Sequence, residues 1–80
     1  MRYKCSCCGY YTLREESDDI CQVCAWQEDI VQRKDPDYVG GPNEASLNQA
    51  KENYILFGAS SKRFIDRVRK PRPEEFPENN

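Results

Sequence analysis

Apolar and polar positions form several different patterns along the chain, and the first covers residues 1–26. Aromatic and apolar residues that favour strands flank two pairs of cysteines. The polar run 15–19 between the pairs suits a hairpin tip or a loop. We therefore predict two short strands that return both cysteine pairs to one site beneath an apolar cover. The residues of this cover are Tyr10, Leu13, Ile20 and Trp26.

Residues 27–45 are predicted to form an ordered loop. A strand or a helical turn fits around Ile30 and Val31. Residues 35–43 contain two prolines and a Gly-Gly pair. Because proline disfavours helix at the residue before it and glycine supplies turn conformations, we expect no helix in this stretch.

The clearest helical pattern covers residues 46–57, where apolar residues recur on one face. Ser46 is a natural N-cap with Gln49 at the third helical position, which predicts a capping box. Gly58 suits the position that follows a helix. The apolar face consists of Leu47, Ala50, Tyr54 and Phe57.

A second short helix is predicted over 61–69, so the helical part of the domain covers 46–69. Residues 71–80 are predicted to form an extended or disordered tail. The predicted fold class is small α+β: a zinc-ribbon or rubredoxin-like four-cysteine knuckle hairpin followed by one or two C-terminal helices. The side chains expected to share one core are Ile20, Trp26, Leu47, Tyr54, Phe57 and Phe64.

Length and composition indicate one zinc-stabilised domain over residues 1–70. The chain has 80 residues, of which 38% are hydrophobic and 32% charged, so a metal or another cross-link is expected to support its small core.

The start of the chain lacks the apolar stretch of a signal peptide, and no apolar run is long enough for a membrane span. We therefore expect a cytoplasmic protein without a membrane partner, in which thiols stay reduced.

Cys5, Cys8, Cys21 and Cys24 form two CxxC pairs with the spacing of a tetrahedral metal site. With no histidine in the chain, all four ligands would be thiolates, which leaves no open position for water or substrate. Structural Zn²⁺ is the expected ion, and iron is the alternative because residues 5–10 are similar to the first knuckle of rubredoxins. Against iron, the insert between the pairs is short for that family. A secreted disulfide protein is a third alternative, disfavoured by the odd number of cysteines.

Cys7 has no place in this ligand set. We interpret it as a small residue that supports the neighbouring knuckle, with an alternative ligand or a redox-sensitive thiol as other readings. No nucleophile–base pair, open metal site or phosphate-cradling loop can be assembled from the sequence, so we do not expect an enzyme.

Charge is distributed unevenly between the two halves. Residues 1–45 carry five basic against nine acidic side chains, and residues 46–80 carry seven against five. Nucleic-acid binding by the second half is an alternative function. A zinc ribbon that binds nucleic acid usually carries its basic charge on the ribbon, whereas the ribbon half of this chain is acidic. The basic cluster consists of Lys62, Arg63, Arg67, Arg69, Lys70 and Arg72.

Three segments resemble the bacterial cysteine-rich CPCC domain family: CSCCGYYTL, DICQVCAWQED and DPDYVGGPNEASLNQAKENYILFGASSKRF. The resemblance covers about Cys5 to Val68 and departs at Ser6, where the family motif has proline. It implies a small zinc-binding bacterial protein and no particular biochemical activity. Together with the closed site, it leads us to expect a non-catalytic module that binds another protein, as an adaptor or an immunity or antitoxin-like partner.

Overall fold

The computed structural model describes residues 2–80, which form a small α+β structure with a two-stranded hairpin and several helices. Met1, the first residue of the predicted hairpin, lies outside the described residues. In residues 2–80, no helix combines the length and the apolar character that a membrane crossing requires. The elements are β1 (Tyr3–Lys4), β2 (Tyr11–Leu13), α1 (Ile30–Lys34), α2 (Leu47–Phe57) and 3-10 helices at Lys62–Arg67, Pro73–Glu75 and Pro77–Asn79.

The strands pair around the first CxxC pair. β1 and β2 are antiparallel, with Tyr3 opposite Leu13. The second CxxC pair is enclosed in the same way by a single antiparallel bridge between Ile20 and Gln27. Each pair of cysteines therefore lies in its own hairpin, and the polar run 15–19 connects the two hairpins.

Helix α2 begins and ends where the sequence predicts. The Ser46 hydroxyl accepts the N–H of Gln49 at 3.1 Å, and Gly58 ends the helix with φ 77° and an N–H bond to the Tyr54 carbonyl of 2.8 Å. The capping box is only half formed, because the Gln49 side chain donates to Asn53 at 3.0 Å. The short helix α1 fills part of the predicted loop, and Asp29 caps it by accepting the N–H of Gln32.

The core packs around the cysteines, and three predicted core residues are wrong. Phe64 is half-buried outside the cysteine cluster, on the 3-10 helix Lys62–Arg67. Ile20 is 51% exposed because its backbone forms the bridge at the rim of the second hairpin. Phe57 is 38% exposed at the last turn of α2, where the Lys62 ammonium lies 6.0 Å from its ring centroid. Tyr54 packs against the core while partly buried. The buried residues of the cluster are Cys5, Cys7, Leu13, Cys21, Val23, Cys24, Trp26, Leu47 and Ala50.

The C-terminal segment 71–80 is folded, so the predicted extended or disordered tail is wrong. Its two 3-10 helices hold Glu75 fully buried. The Glu75 carboxylate accepts two bonds from the Arg69 guanidinium, at 2.9 and 2.8 Å, and the N–H of Arg72 at 2.8 Å. The Phe76 ring lies 5.5 Å from the Tyr10 ring. A buried ion pair and an aromatic contact thus fasten this segment to the first hairpin.

Candidate metal centre

The first CxxC pair is shaped by a tight knuckle turn. The Cys5 carbonyl accepts the N–H of Gly9 at 2.9 Å, and the Cys5 N–H donates to the Tyr10 carbonyl at 2.9 Å. Gly9 has φ 83°, a conformation that glycine adopts without steric cost. This turn is the local reason why Gly9 follows the second cysteine of the pair.

The second pair repeats the same turn with a different residue at the critical position. The Cys21 carbonyl accepts the N–H of Ala25 at 2.8 Å, and the Cys21 N–H donates to the Trp26 carbonyl at 2.9 Å. Ala25 has φ 69°, so an alanine occupies the left-handed conformation that Gly9 occupies in the first knuckle. The repeated bonds make the two turns equivalent and place four sulfurs at one point.

The four predicted ligand atoms form one cluster. All four Sγ atoms lie within 4.8 Å of one another, with 3.6 Å between Cys5 and Cys24 and 3.7 Å between Cys8 and Cys21. A tetrahedral ion with metal–sulfur bonds of about 2.3 Å separates its ligand sulfurs by about 3.8 Å. The cluster is therefore compatible with a metal ion. Cys8 is half-buried beside a shallow cleft that Phe76 and Pro77 also line, whereas the other three cysteines are buried.

Hydrogen bonds within the cluster distribute its protons unevenly. Bonds from the thiols of Cys24 and Cys5 hold the pKa of Cys21 far below its ordinary value, and the Thr12 hydroxyl, 2.9 Å from the Cys21 sulfur, contributes. Bonding to Cys21 raises the pKa of Cys5, Cys8 and Cys24. An ion that takes four thiolates displaces the protons of the thiols that bind it, so its affinity falls as the pH falls.

Cys7 lies in the core beside this cluster and outside the set of converging sulfurs. It is 8% exposed, and a hydrogen bond with its side chain contributes to the raised pKa of Cys24. Its neighbour Cys8 belongs to the converging set. This difference makes Cys7 a matched control for experiments on the ligands.

A buried carboxylate behind the first knuckle was missed by the sequence prediction. Glu28 is 1% exposed, and its side chain accepts both the hydroxyl and the N–H of Ser6, the latter at 3.1 Å. The Arg33 guanidinium lies 3.2 Å from the same carboxylate. Position 6 is where the chain departs from the CPCC motif, and a proline there has no N–H to donate. Ser6 and Glu28 therefore support the knuckle together.

Replacing Ser6 by proline is expected to destabilise the folded protein by about 2–4 kcal/mol, because Glu28 loses two donors and stays buried. Ser6→Ala removes only the hydroxyl bond and should cost about half as much. Urea unfolding of the metal-loaded proteins measures both. If both Ser6→Pro and Ser6→Ala unfold at the wild-type midpoint, the supporting role of Glu28 is wrong.

Buried amides hold the loop between α1 and α2 against the second knuckle. Gln32 is fully buried and donates to the carbonyls of Tyr38 and Ala45 at 3.2 and 3.1 Å. Asn43 pairs with both backbone groups of Gln27, at 2.9 and 2.8 Å. A Cβ on Gly41 would lie 2.8 Å from the Gln32 amide, which explains a glycine there. These contacts give the DPDY and GGPN segments a structural role.

The predicted basic cluster at 62–72 is divided between two clefts. Arg63 and Arg67 line one cleft with Phe64, and the Arg63 guanidinium lies 3.2 Å from the Glu44 carboxylate. Arg69 and Arg72 line another. The two clefts share Ile20 and Gln22 in their lining, so they lie next to each other.

Comparison with known proteins identifies one family. The model of the family described as "Cysteine-rich CPCC" matches residues 3–75, which includes both knuckles, both helices and Glu75. The search of curated proteins finds no match.

Proposed function

The chain belongs to the cysteine-rich CPCC family, and from this premise we propose that it is a non-catalytic zinc-binding module that binds another protein. Four converging sulfurs with no further donor support a closed structural site. Such a site holds the fold in place and leaves recognition to the surface around it.

Zinc is the ion proposed for the cluster. Zn²⁺ has no geometric preference of its own beyond the tetrahedron that four thiolates impose, and the separations of 3.6 and 3.7 Å within two pairs of sulfurs fit its bond length. Iron accepts the same four ligands. Metal analysis of the purified protein should give one zinc per chain and a colourless solution, whereas a red protein with stoichiometric iron contradicts zinc and supports electron transfer.

The observation that carries the binding function is the exposed apolar end of α2. Ile55 is 82% exposed and Leu56 71% exposed, and Phe57 follows them in the same turn. On the adjoining 3-10 helix, Ile65 is 43% exposed. Two large aliphatic side chains exposed side by side on a helix that also packs into the core are characteristic of a surface that a partner covers.

Basic side chains surround this apolar end. Lys62 lies against the Phe57 ring, and Arg63 and Arg67 lie 4.7 and 5.9 Å from the centroid of the Phe64 ring. Apolar anchors with a charged rim are typical of protein interfaces. The partner proposed here therefore presents an apolar side chain flanked by acidic residues.

Affinity capture from the host, with the full chain as bait, tests this function. We expect one stoichiometric partner that is lost with Leu56→Asp. Val39→Asp is the matched control, since Val39 is 65% exposed on the loop and should leave the partner bound. Recovery of no stoichiometric partner, or of the same partner with Leu56→Asp, would refute the proposal.

A further inference from the structure

Four arginines line one polar cleft beside the Cys21 knuckle. The cleft has a volume of about 370 Å³ and lies between the end of β2 and the C-terminal segment. Its cations come from distant parts of the chain, which explains why the sequence did not reveal it. We call it the arginine cleft, and its arginines are Arg2, Arg14, Arg69 and Arg72.

The carboxylates near the arginine cleft leave two of these cations without a partner. Asp19 lines the cleft, but its carboxylate accepts the N–H groups of Arg14 and Ile20 at 2.6 and 3.0 Å. Among residues 2–80, ion pairs within 4.0 Å join Glu75 to Arg69 and Arg2, and none involves the guanidinium groups of Arg14 and Arg72.

The remaining two arginines lie near the buried Glu75 carboxylate, and one of them, Arg69, is hydrogen-bonded to it. Glu75, fully buried, binds the Arg69 guanidinium through both oxygens and lies 4.0 Å from Arg2. A guanidinium fixed by a buried carboxylate loses little freedom when an anion arrives. The cleft therefore combines one positioned cation, Arg69, with a second cation near Glu75 and with Arg14 and Arg72, whose guanidinium groups pair with no carboxylate within residues 2–80.

We propose that the arginine cleft binds a compact phosphate group. The planar donor fork of an arginine such as Arg14 or Arg72 matches two phosphate oxygens, and the four guanidinium charges together exceed the charge of the carboxylates that face them. The acidic run at residues 15–19 adjoins the cleft and repels a long polyanion, so a free phosphate or a small phosphate ester fits better than a nucleic-acid strand.

A different role for the same arginines would be to neutralise the metal centre. Thr12 lines the arginine cleft and its hydroxyl contacts the Cys21 sulfur, so the cations lie close to a cluster that carries two net negative charges when zinc is bound. That role predicts loss of metal from arginine variants and no saturable binding of phosphate. The two roles are separated by measuring both quantities on the same proteins.

Titration of the metal-loaded full chain with orthophosphate at low salt tests the proposal, with the arginine Nε–H signals followed by NMR. We expect saturable shifts with a dissociation constant of about 1 mM or tighter, as several charge-assisted contacts would give. Arg14→Gln and Arg72→Gln should each weaken binding about tenfold or more, with unchanged metal content. Arg63→Gln, in the other cleft, should leave binding unchanged.

Several outcomes overturn the proposal. The first two are the absence of saturable shifts and an equal weakening of phosphate binding by Arg63→Gln. The third is loss of metal from Arg14→Gln and Arg72→Gln without saturable phosphate binding. The fourth is tighter binding of a single-stranded oligonucleotide than of phosphate through the same arginines. Since the partner surface lies on α2, these results leave the interaction test with Leu56→Asp unaffected.

Discussion

Removal of the metal is expected to unfold the two knuckles and to transfer Trp26 from the core to water. Trp26 is 1% exposed and packs with the cysteines in one cluster. Structural zinc contributes roughly 10–16 kcal/mol of apparent binding free energy in small zinc-finger peptides. The core of a domain this small rarely supplies more than about 3–5 kcal/mol. Without the ion, crowded thiols and little apolar burial remain to hold the hairpins.

The single tryptophan makes this loss directly measurable. After treatment with a strong chelator, the fluorescence maximum should move to the red and the far-ultraviolet dichroism should weaken, and zinc should restore both. Cys8→Ser should behave like the stripped protein. Its neighbour Cys7→Ala should keep one zinc and the native spectra. A stripped protein that retains a buried tryptophan would contradict a metal-dependent fold.

Replacing Glu75 by glutamine is expected to destabilise the protein by about 3 kcal/mol at neutral pH. The Arg69 guanidinium lowers the pKa of Glu75 from 4.5 to about 2. Burial of the carboxylate opposes this shift, and the Arg72 N–H contributes to it. Each pKa unit corresponds to about 1.4 kcal/mol. Because the pKa is lower in the folded protein, this stabilisation is complete above pH 4.5 and is lost as the pH falls toward 2.

Denaturant unfolding in excess zinc, compared between wild type and Glu75→Gln, measures this contribution. Both proteins carry the same cysteine cluster, so the pH dependence of metal binding cancels in the difference wherever both proteins stay metal-loaded. The difference should stay constant above pH 4.5 and shrink below it. Glu74→Gln is the control, since Glu74 is exposed beside Glu75 and should cost little. Equal effects of the two substitutions would show that the buried ion pair does not stabilise the fold.

Local signals explain which features could be predicted from the sequence. The spacing of the cysteines, Gly9 after the first pair, and the Ser46 and Gly58 caps each act within a few residues. The converging sulfurs and helix α2 therefore appear where they were expected. The spacing of the cysteines does not determine which metal binds, because zinc and iron accept the same thiolates.

Features that depend on distant partners could not be predicted. Glu28 and Glu75 are acidic and look like surface residues, yet Ser6 and Arg69 satisfy them in the interior. Conversely, Ile20 and Phe57 look like core residues but are exposed. Ile20 lies in the bridge of the second hairpin, and Phe57 lies at the end of α2.

Exchange of the bound ion is expected to begin at Cys8, the one ligand that is not fully covered. An incoming chelator or thiol must first reach this sulfur, through the shallow cleft that Phe76 and Pro77 line. We therefore expect Phe76 and Pro77 to affect the residence time of the metal separately from its affinity. Two versions of this protein with equal zinc affinity would then release the ion at different rates if their C-terminal segments differ.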